Sequence, residues 1–336
     1  MPRVMDYPFA KSTPMTERCH RLFDTVTPDE TLGIVMSADP DAIASALALR
    51  RLMWRRVRRV ALYHVNVIER SDNLALIKLL NIKMERIRSM KNRKINHWAM
   101  VDSQPGHYEP FKDHPFDIII DHHPRLPSTK ACFLDIRERY GANSTIMTEY
   151  LRSAKVSPSP GLATALFYGI KTDTDNFVRD SLPKDINAFR YLYPHVNMNI
   201  IKKIESSEFT LQTLDHLRFA MEHVVFVKNI AFAYMETVAN PDELVIIADF
   251  FMKLAEAHWS VVAGIYEDKL IVILRNADWR ADAGKQAQAW FNSWGATAGG
   301  HRSAARAEIP LKDIEKNAGK NVEMRTLLLK TIKEKK

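Results

Sequence analysis

TLGIVMSADPDAIASALALRRLMWRRV, residues 31–57, holds the pattern on which the fold turns. Its first residues form a compact apolar run of strand length. From Asp41 onward apolar residues recur at helical spacing, and Asp39 and Asp41 mark the short turn between the two. This is one β-turn-α unit, and the pattern repeats. VRRVALYHV (57–65) reads as a strand, SDNLALIKLLNI (71–82) as a helix opened by a serine cap, and INHWAMVDS (95–103) and FDIIIDHH (116–123) as two more strands. Strands alternating with helices predict an α/β fold, a mainly parallel sheet covered by helices on both faces. In such sheets ligands gather beyond the carboxyl ends of the strands.

Composition narrows the function classes. The 336 residues suffice for two domains, each with its own core. With 46% hydrophobic and 26% charged residues, the chain has a soluble balance, and it contains no apolar run of the roughly 18 residues that a membrane span needs. No membrane association is expected. The N-terminus lacks the apolar core of a secretion signal, and Cys19 and Cys132 form no C-x-x-C pair. Both points fit a reducing, cytoplasmic location and argue against a disulfide framework or thiolate zinc site.

The net charge of +8 suggests polyanionic partners, yet its densest cluster, RRLMWRRVRR (50–59), reads as a solvated helix end complementing the helix dipole. The terminal KTIKEKK (330–336) reads as frayed and solvated. Trp54, Trp98, Trp290 and Trp294 lack the regular interleaving of a strand-stacking platform and read as core. His97, His107 and His114 share no metal-like spacing. Arg70 before one helix, and Asn143 and Ser144 opening GANSTIMTEYL (141–151), read as capping residues.

The strand ends are the informative places. GIVMSADPD delivers Asp39 and Asp41, HWAMVDS delivers Asp102, and DIIIDHH delivers Asp121, His122 and His123. FYGIKTDTDNF (167–177) carries Asp173 and Asp175 after an apolar helical or extended run. Crowded carboxylates repel one another and are costly to desolvate, so a divalent cation is the natural way to hold them. Mixed Asp and His donors without sulfur suit Mn2+, and Mg2+ also fits.

The ordered series D-x-D with A-I-x-S, then V-D-S, then D-H-H, then G-I-x-T-D-T resembles the four motifs of the DHH phosphoesterases, a family that includes nano-RNases and RecJ-type exonucleases. VILRN (272–276) and AGGHRSAARA (298–307) are similar to the strand and glycine-histidine segment of the DHH-associated C-terminal domain. The resemblance implies metal ligands at Asp39, Asp41, Asp102, His122 and Asp173, with Asp102 bridging two ions. It also implies that Asp121 orients His122 and that His123 faces a substrate phosphate. Catalysis would then fall to Asp102, His122 and His123, with a metal-activated water attacking phosphorus. The chain departs from the family where a histidine usually stands six residues before Asp41, because that position is Val35. A weakened ion, a substitute such as Ser37 or water, and a degenerate site are the three consequences open at this point.

A second, smaller α/β domain is predicted after the polar helical stretch 197–223. NIAFAYMETV (229–238) reads as a strand and PDELVIIADFFMKLAEA (241–257) as a helix. WSVVAGIYEDKLIVILRN (259–276) reads as a hairpin turning at Glu267 and Asp268. The expected boundaries are an extension over 1–30, a DHH catalytic domain over 31–195 and a helical linker over 196–226. A substrate-binding domain over 227–320 and a basic tail over 321–336 complete the chain. The resemblance implies substrate contacts from Arg275, Gly299, Gly300, His301 and Arg302, with substrate held between the domains. Ala298 and Arg306 stand where the family segment commonly has glycine, and the effect of Arg306 is left open. The expected activity is hydrolysis of phosphodiester or phosphomonoester bonds in short nucleotides or oligonucleotides, and a homodimer is compatible with it. Pyrophosphate or polyphosphate hydrolysis, and a nucleotide-binding sensor without turnover, are the alternatives.

Overall fold

The computed structural model describes residues 9, 13–90, 94–178, 181–207, 211–319 and 323–334. The chain forms two compact units, Met1–Glu208 and Phe209–Lys336. The first holds strands β1 (Thr31–Met36), β2 (Arg59–His64), β3 (Glu85–Arg86), β4 (His97–Val101), β5 (Phe116–Asp121) and β6 (Ala131–Ile136). Its helices are α1 (Met15–Phe23), α2 (Pro40–Leu52), α3 (Ser71–Leu79), α4 (Asn143–Ser153), α5 (Pro160–Asp173), α6 (Pro183–Leu192) and α7 (Met198–Glu205). The strands pair in the order β3-β2-β1-β4-β5-β6, all parallel.

β1 is buried along its whole length, and its side chains alternate between two cores. Ile34 and Met36 join residues of α1 to α7 on one face, while Val35 joins Tyr63, Trp98, Met100 and Ile119 on the other. Gly33 is needed because the Trp98 ring from β4 lies across it. A Cβ there would come within 2.4 Å of that ring. Among the described residues, helices cover only the first face. The second core draws on strands, loop residues and Phe111, because the β4–β5 connection holds only two single 3-10 turns, Pro105–His107 and Glu109–Phe111, and no α-helix. The expectation of helices on both faces is corrected accordingly.

Local chemistry explains several boundaries. Asp39 caps α2 by accepting from the Ala42 amide at 2.9 Å, and Pro40 fits the first helical position, where no amide donor is needed. α2 stops at Leu52 rather than running to residue 57. The chain turns there to bury Met53 and Val57 and to start β2 at Arg59. Arg55, Arg56, Arg58 and Arg59 therefore lie beyond the helix, and the dipole reading holds only for Arg50 and Arg51. Ser71 is the first residue of α3, not its cap, and the capping position falls to Arg70, whose side chain makes no cap bond. β6 was not anticipated: ACFLDI is short, and its strand character comes from pairing with β5.

The second unit holds α8 (Leu211–His223), β7 (Val225–Val227), β8 (Ile230–Thr237), α9 (Pro241–Phe251), β9 (Trp259–Tyr266) and β10 (Lys269–Asn276). α10 (Ala283–Phe291), β11 (Thr297–Gly300), β12 (Ala304–Pro310), α11 (Leu311–Ala318) and α12 (Met324–Glu334) follow. The sheet runs β11-β12-β10-β9-β8-β7 and is mixed, with β8 and β9 parallel. The hairpin turns at Glu267 and Asp268 as expected, with Glu267 at φ 54°. The C-terminal segment is not frayed over its described part, since α12 packs Leu328 and Ile332 into the core of this unit. Among the described residues no helix is long and apolar enough to cross a membrane.

Candidate metal centre

The strand order makes a crevice. β1 lies between β2 and β4, so the chain leaves β1 toward one side and β4 toward the other, which opens the sheet's carboxyl edge between them. Asp39 and Asp41 follow β1 at the start of α2. Asp102 follows β4, Asp121 ends β5 with His122 and His123 after it, and Asp173 is the last residue of α5. α5 can reach this edge because Gly169 lets it lie against α2: a Cβ there would come within 3.0 Å of the Asp41 Cα and 2.6 Å of the Ser144 Oγ.

Side-chain oxygens and nitrogens from all four segments converge. His122 Nε2 lies 3.1 Å from an Asp173 oxygen and 3.3 Å from an Asp102 oxygen. Asp41, His122 and Asp173 form one group whose ligand atoms lie within 4.8 Å of one another, and Asp102, His122 and His123 form a second. The buried His122 Nε2 and Asp102 Oδ1 nevertheless have no partner with hydrogen-bond geometry. Atoms this close and this poorly aligned suit a shared cation better than mutual hydrogen bonds, so the donor set fits a divalent ion.

Second contacts hold the candidate ligands in place. Asp41 is buried, and its two oxygens accept the Asn143 and Ser144 amides of α4 at 2.6 and 2.7 Å. Asn143 and Ser144 thus serve through their backbone rather than as side-chain caps, and both side chains are buried without hydrogen-bond partners. Asp102 takes φ 55°, an uncommon conformation for a residue with a side chain. His122 Nδ1 meets the Tyr140 carbonyl at 2.9 Å, while His123 Nδ1 meets Asp121 Oδ1 at 2.8 Å. Asp121 also accepts the His122 and His123 amides and the Gln104 side-chain amide. The expected role of Asp121 is corrected: the imidazole it orients is that of His123, and a backbone carbonyl orients His122. Both arrangements leave Nε2 as the nitrogen turned away from its support.

The electrostatics follow from crowding. Burial first, and repulsion from Asp173 second, push Asp41 up to about 6. Asp39 keeps its edge open to solvent, yet crowding by protein atoms and then Asp173 raise it to about 7. Asp102 is raised well above the carboxylate range by burial and then by Asp41. Burial alone would lower His122, but Asp102 and Asp173 more than reverse it and raise it well above an ordinary imidazole. Burial would also raise Asp121, but the hydrogen bond and charge of His123, with the Gln104 amide, hold it low. His123 is raised in turn, because Asp121 outweighs its burial.

Val35 faces apolar neighbours at full burial, so it offers no seat for a ligand. Polar groups missed as site neighbours lie close by. His107 Nδ1 is 3.0 Å from Ser103 Oγ, and its ring is 6.1 Å from that of His123. The Tyr108 phenol is pushed up by burial, with Ser103 and Ser37 as hydrogen-bond partners and Asp39 and Asp102 nearby. Spacing could not reveal His107, because the turn that brings it back is a single 3-10 turn. Asp175 lies beyond α5 in a left-handed turn and belongs to neither ligand group. Arg70 forks onto Asp72 at 2.9 and 3.1 Å.

In the second unit, Arg275 near the end of β10 pairs with Ala304 across the sheet, and its guanidinium bonds Asp249 at 2.5 Å. His301 and Arg302 lie exposed in the β11–β12 turn, where the His301 and Arg302 carbonyls accept the first amides of α10. Gly300 has φ 149°, and a Cβ on it would meet the Ala304 carbonyl at 2.3 Å, whereas Gly299 has open space. Arg306 projects from β12 and pairs with Glu308 at 2.8 Å.

No family model matches the chain. It is 34% identical over 299 residues to an uncharacterized protein of Methanocaldococcus jannaschii. That match takes in 88% of this chain but only 61% of the relative's length. Among solved structures, an exopolyphosphatase-related protein from Bacteroides fragilis overlays with a TM-score of 0.70 at 14% identity, covering 97% of each chain. Exonuclease RecJ bound to manganese overlays with a TM-score of 0.49 at 10% identity, covering 98% of this chain and 99% of its own. The fold is the DHH-type α/β fold, a six-stranded parallel sheet with helices followed by a second unit built on a mixed sheet.

Proposed function

We propose that the chain is a divalent-metal-dependent phosphoesterase whose substrates are phosphodiesters or phosphomonoesters of short nucleotides. The observation that carries this reading is His122 Nε2 flanked by oxygens of Asp102 and Asp173, with Asp41 in the same group and no hydrogen-bond geometry among them. Asp41, Asp102, His122 and Asp173 would hold the ion, Mn2+ or Mg2+, and Asp39 would adjoin it. A divalent ion bound there supplies Lewis-acid chemistry, lowering the pKa of a water and neutralising phosphoryl charge. His123, whose protonated form the Asp121 hydrogen bond and charge favour, would present Nε2–H to a phosphate oxygen or to the leaving group. The β11–β12 turn, with its two glycines beside His301 and Arg302, has the composition of an anion-binding turn.

The full apolar burial of Val35 favours one alternative. If a second ion has no complete seat, the protein binds nucleotides without turning them over. Polyphosphate or pyrophosphate hydrolysis would use the same ion. Calorimetry with Mn2+ and Mg2+, followed by incubation with di- to pentanucleotides, cyclic dinucleotides, adenosine bisphosphate, pyrophosphate and polyphosphate, decides among the three. Turnover of nucleotides that is lost in EDTA and in Asp102→Ala supports the main reading. Tight nucleotide binding with no turnover of any compound supports the sensor.

A further inference from the structure

The arginine cluster 50–59 is not absorbed by the metal centre or by helix capping. Arg51, Arg55, Arg58 and Arg59 are exposed, and none of them forms an ion pair among the described residues. Arg56 lies over the Phe23 ring at 3.5 Å and is held by that contact. Trp54, expected in the core, is 63% exposed and stands between Arg51 and Arg55 in the sequence. Beside them a surface cavity of about 640 Å³ is lined by Arg58, Arg59 and Lys94, with Tyr63 in its wall and Glu85 as the one carboxylate among its described lining residues.

The cations of this patch lie at the amino edge of the first sheet, opposite the metal centre, where Arg59 starts β2 and Lys94 precedes β4. Both β1 and α2 run between the two places. Six strand residues at ~3.3 Å each, or a dozen helical residues at ~1.5 Å each, put them roughly 18 Å apart. The patch is therefore a separate surface.

We propose that it binds single-stranded nucleic acid, with Arg55, Arg58, Arg59 and Lys94 on successive phosphates and Trp54 stacked on a base. Cations spread over a turn and a strand start suit a flexible polyanion, and an exposed indole adds sequence-tolerant stacking. An anionic membrane fits less well: Leu52, Met53 and Val57 are buried, so Trp54 is the only large apolar side chain of 50–59 left to insert.

The test is fluorescence anisotropy of the full chain with a labelled 20-nucleotide single strand, in EDTA so that cleavage cannot intervene, from 50 to 300 mM salt. Binding is thereby read independently of whether the metal centre is active. The triple variant Arg55→Gln/Arg58→Gln/Arg59→Gln is expected to bind at least about tenfold more weakly at the lowest salt, with a log–log salt slope shallower by about 2. The control Lys253→Gln/Lys312→Gln/Lys316→Gln carries the same charge change on exposed lysines of the second unit and should move both far less. Trp54→Ala should weaken binding at least about fivefold without altering the slope. Equal losses in the two triple variants would overturn the proposal by reducing it to net charge. So would absence of strand binding, with or without capture by anionic vesicles, and an unchanged affinity in both Trp54→Ala and the arginine variant.

Discussion

At its carboxyl edge the first sheet gathers Asp41, Asp102 and Asp121 in near-complete burial, while at its amino edge it spreads Arg55, Arg58 and Arg59 at the exposed surface. The difference is one of solvation. Water stabilises an exposed guanidinium without help from the protein, so the arginines need no partner and fix nothing in the fold. A buried carboxylate has lost that water, and its charge must be met by a proton, an amide or an ion. Asp121 is met by amides and His123, and Asp41 only partly by two amides. The carboxyl edge is consequently poised for a cation, and the amino edge for an anion.

The largest expected effect tests the buried edge directly. Asp102→Asn keeps the shape but removes the carboxylate facing His122, and should cut Mn2+ affinity and any phosphoesterase activity by more than about 100-fold, beyond what loss of a supporting contact costs. The same change removes the cost of burying an acid crowded by Asp41, so the metal-free variant should be more stable than the parent in urea. The arginine triple variant, by contrast, should turn over a small phosphodiester at the parental rate. If Asp102→Asn were instead less stable and fully active, the buried edge would be a structural network and nothing more.

Asp121→Asn separates the two histidines. Since Asp121 bonds the His123 ring and only the backbone of His122, the variant should lose about 10- to 100-fold in activity while binding Mn2+ nearly as well as the parent. The protonated fraction of His123 should also fall, moving the alkaline limb of the activity profile to lower pH. A matching loss of metal affinity would return Asp121 to the support of His122.

Next comes the pH dependence of the metal-free protein. A carboxyl group whose folded pKa is raised binds its proton more tightly in the native state than in the unfolded one, so stability falls as pH rises between the two values. For Asp41 this window runs from the model-peptide value near 4 to about 6, with a slope of roughly 1.4 kcal/mol per pH unit while the window lasts. His122, raised above an ordinary imidazole, adds stability that is lost at higher pH still. Asp121 runs oppositely, but below the ordinary carboxylate range. Urea titrations in EDTA should therefore show stability declining from pH 5 to 7.5, and saturating Mn2+ should flatten the decline.

These contrasts also explain what the sequence made legible. Acids at strand ends could be read because the strands are apolar runs that stop abruptly, and a parallel sheet sends every such end to one edge. The division of labour between His122 and His123 was not legible, because adjacent residues differ only in which neighbour their rings meet, and the Tyr140 carbonyl comes from 18 residues away. His107 was hidden because a single 3-10 turn folds it back toward Ser103 and His123. Trp54 and the end of α2 depart from the sequence pattern, because composition favours helix through residue 57. What stops it is the burial of Met53 and Val57, a tertiary demand that local propensity does not contain.

The smallest expected effect links the two edges. Each carries a charged residue in the left-handed region, Asp102 at φ 55° and Arg55 at φ 62°, where glycine would sit with less strain. Relief of about 1–2 kcal/mol, less about 0.5–1 kcal/mol for the added freedom of glycine when unfolded, leaves Arg55→Gly about 0.5 kcal/mol more stable than the parent. That gain would be read as a rise in urea midpoint with an unchanged slope. At a position without a task, a chain has no reason to keep a strained arginine. A gain in stability coupled to weaker strand binding would show that the amino edge, like the metal centre, holds its charge at the expense of the fold. A loss of stability would mean that the Arg55 side chain has a packing role instead, leaving Asp102 as the only one of the two whose strain serves a site.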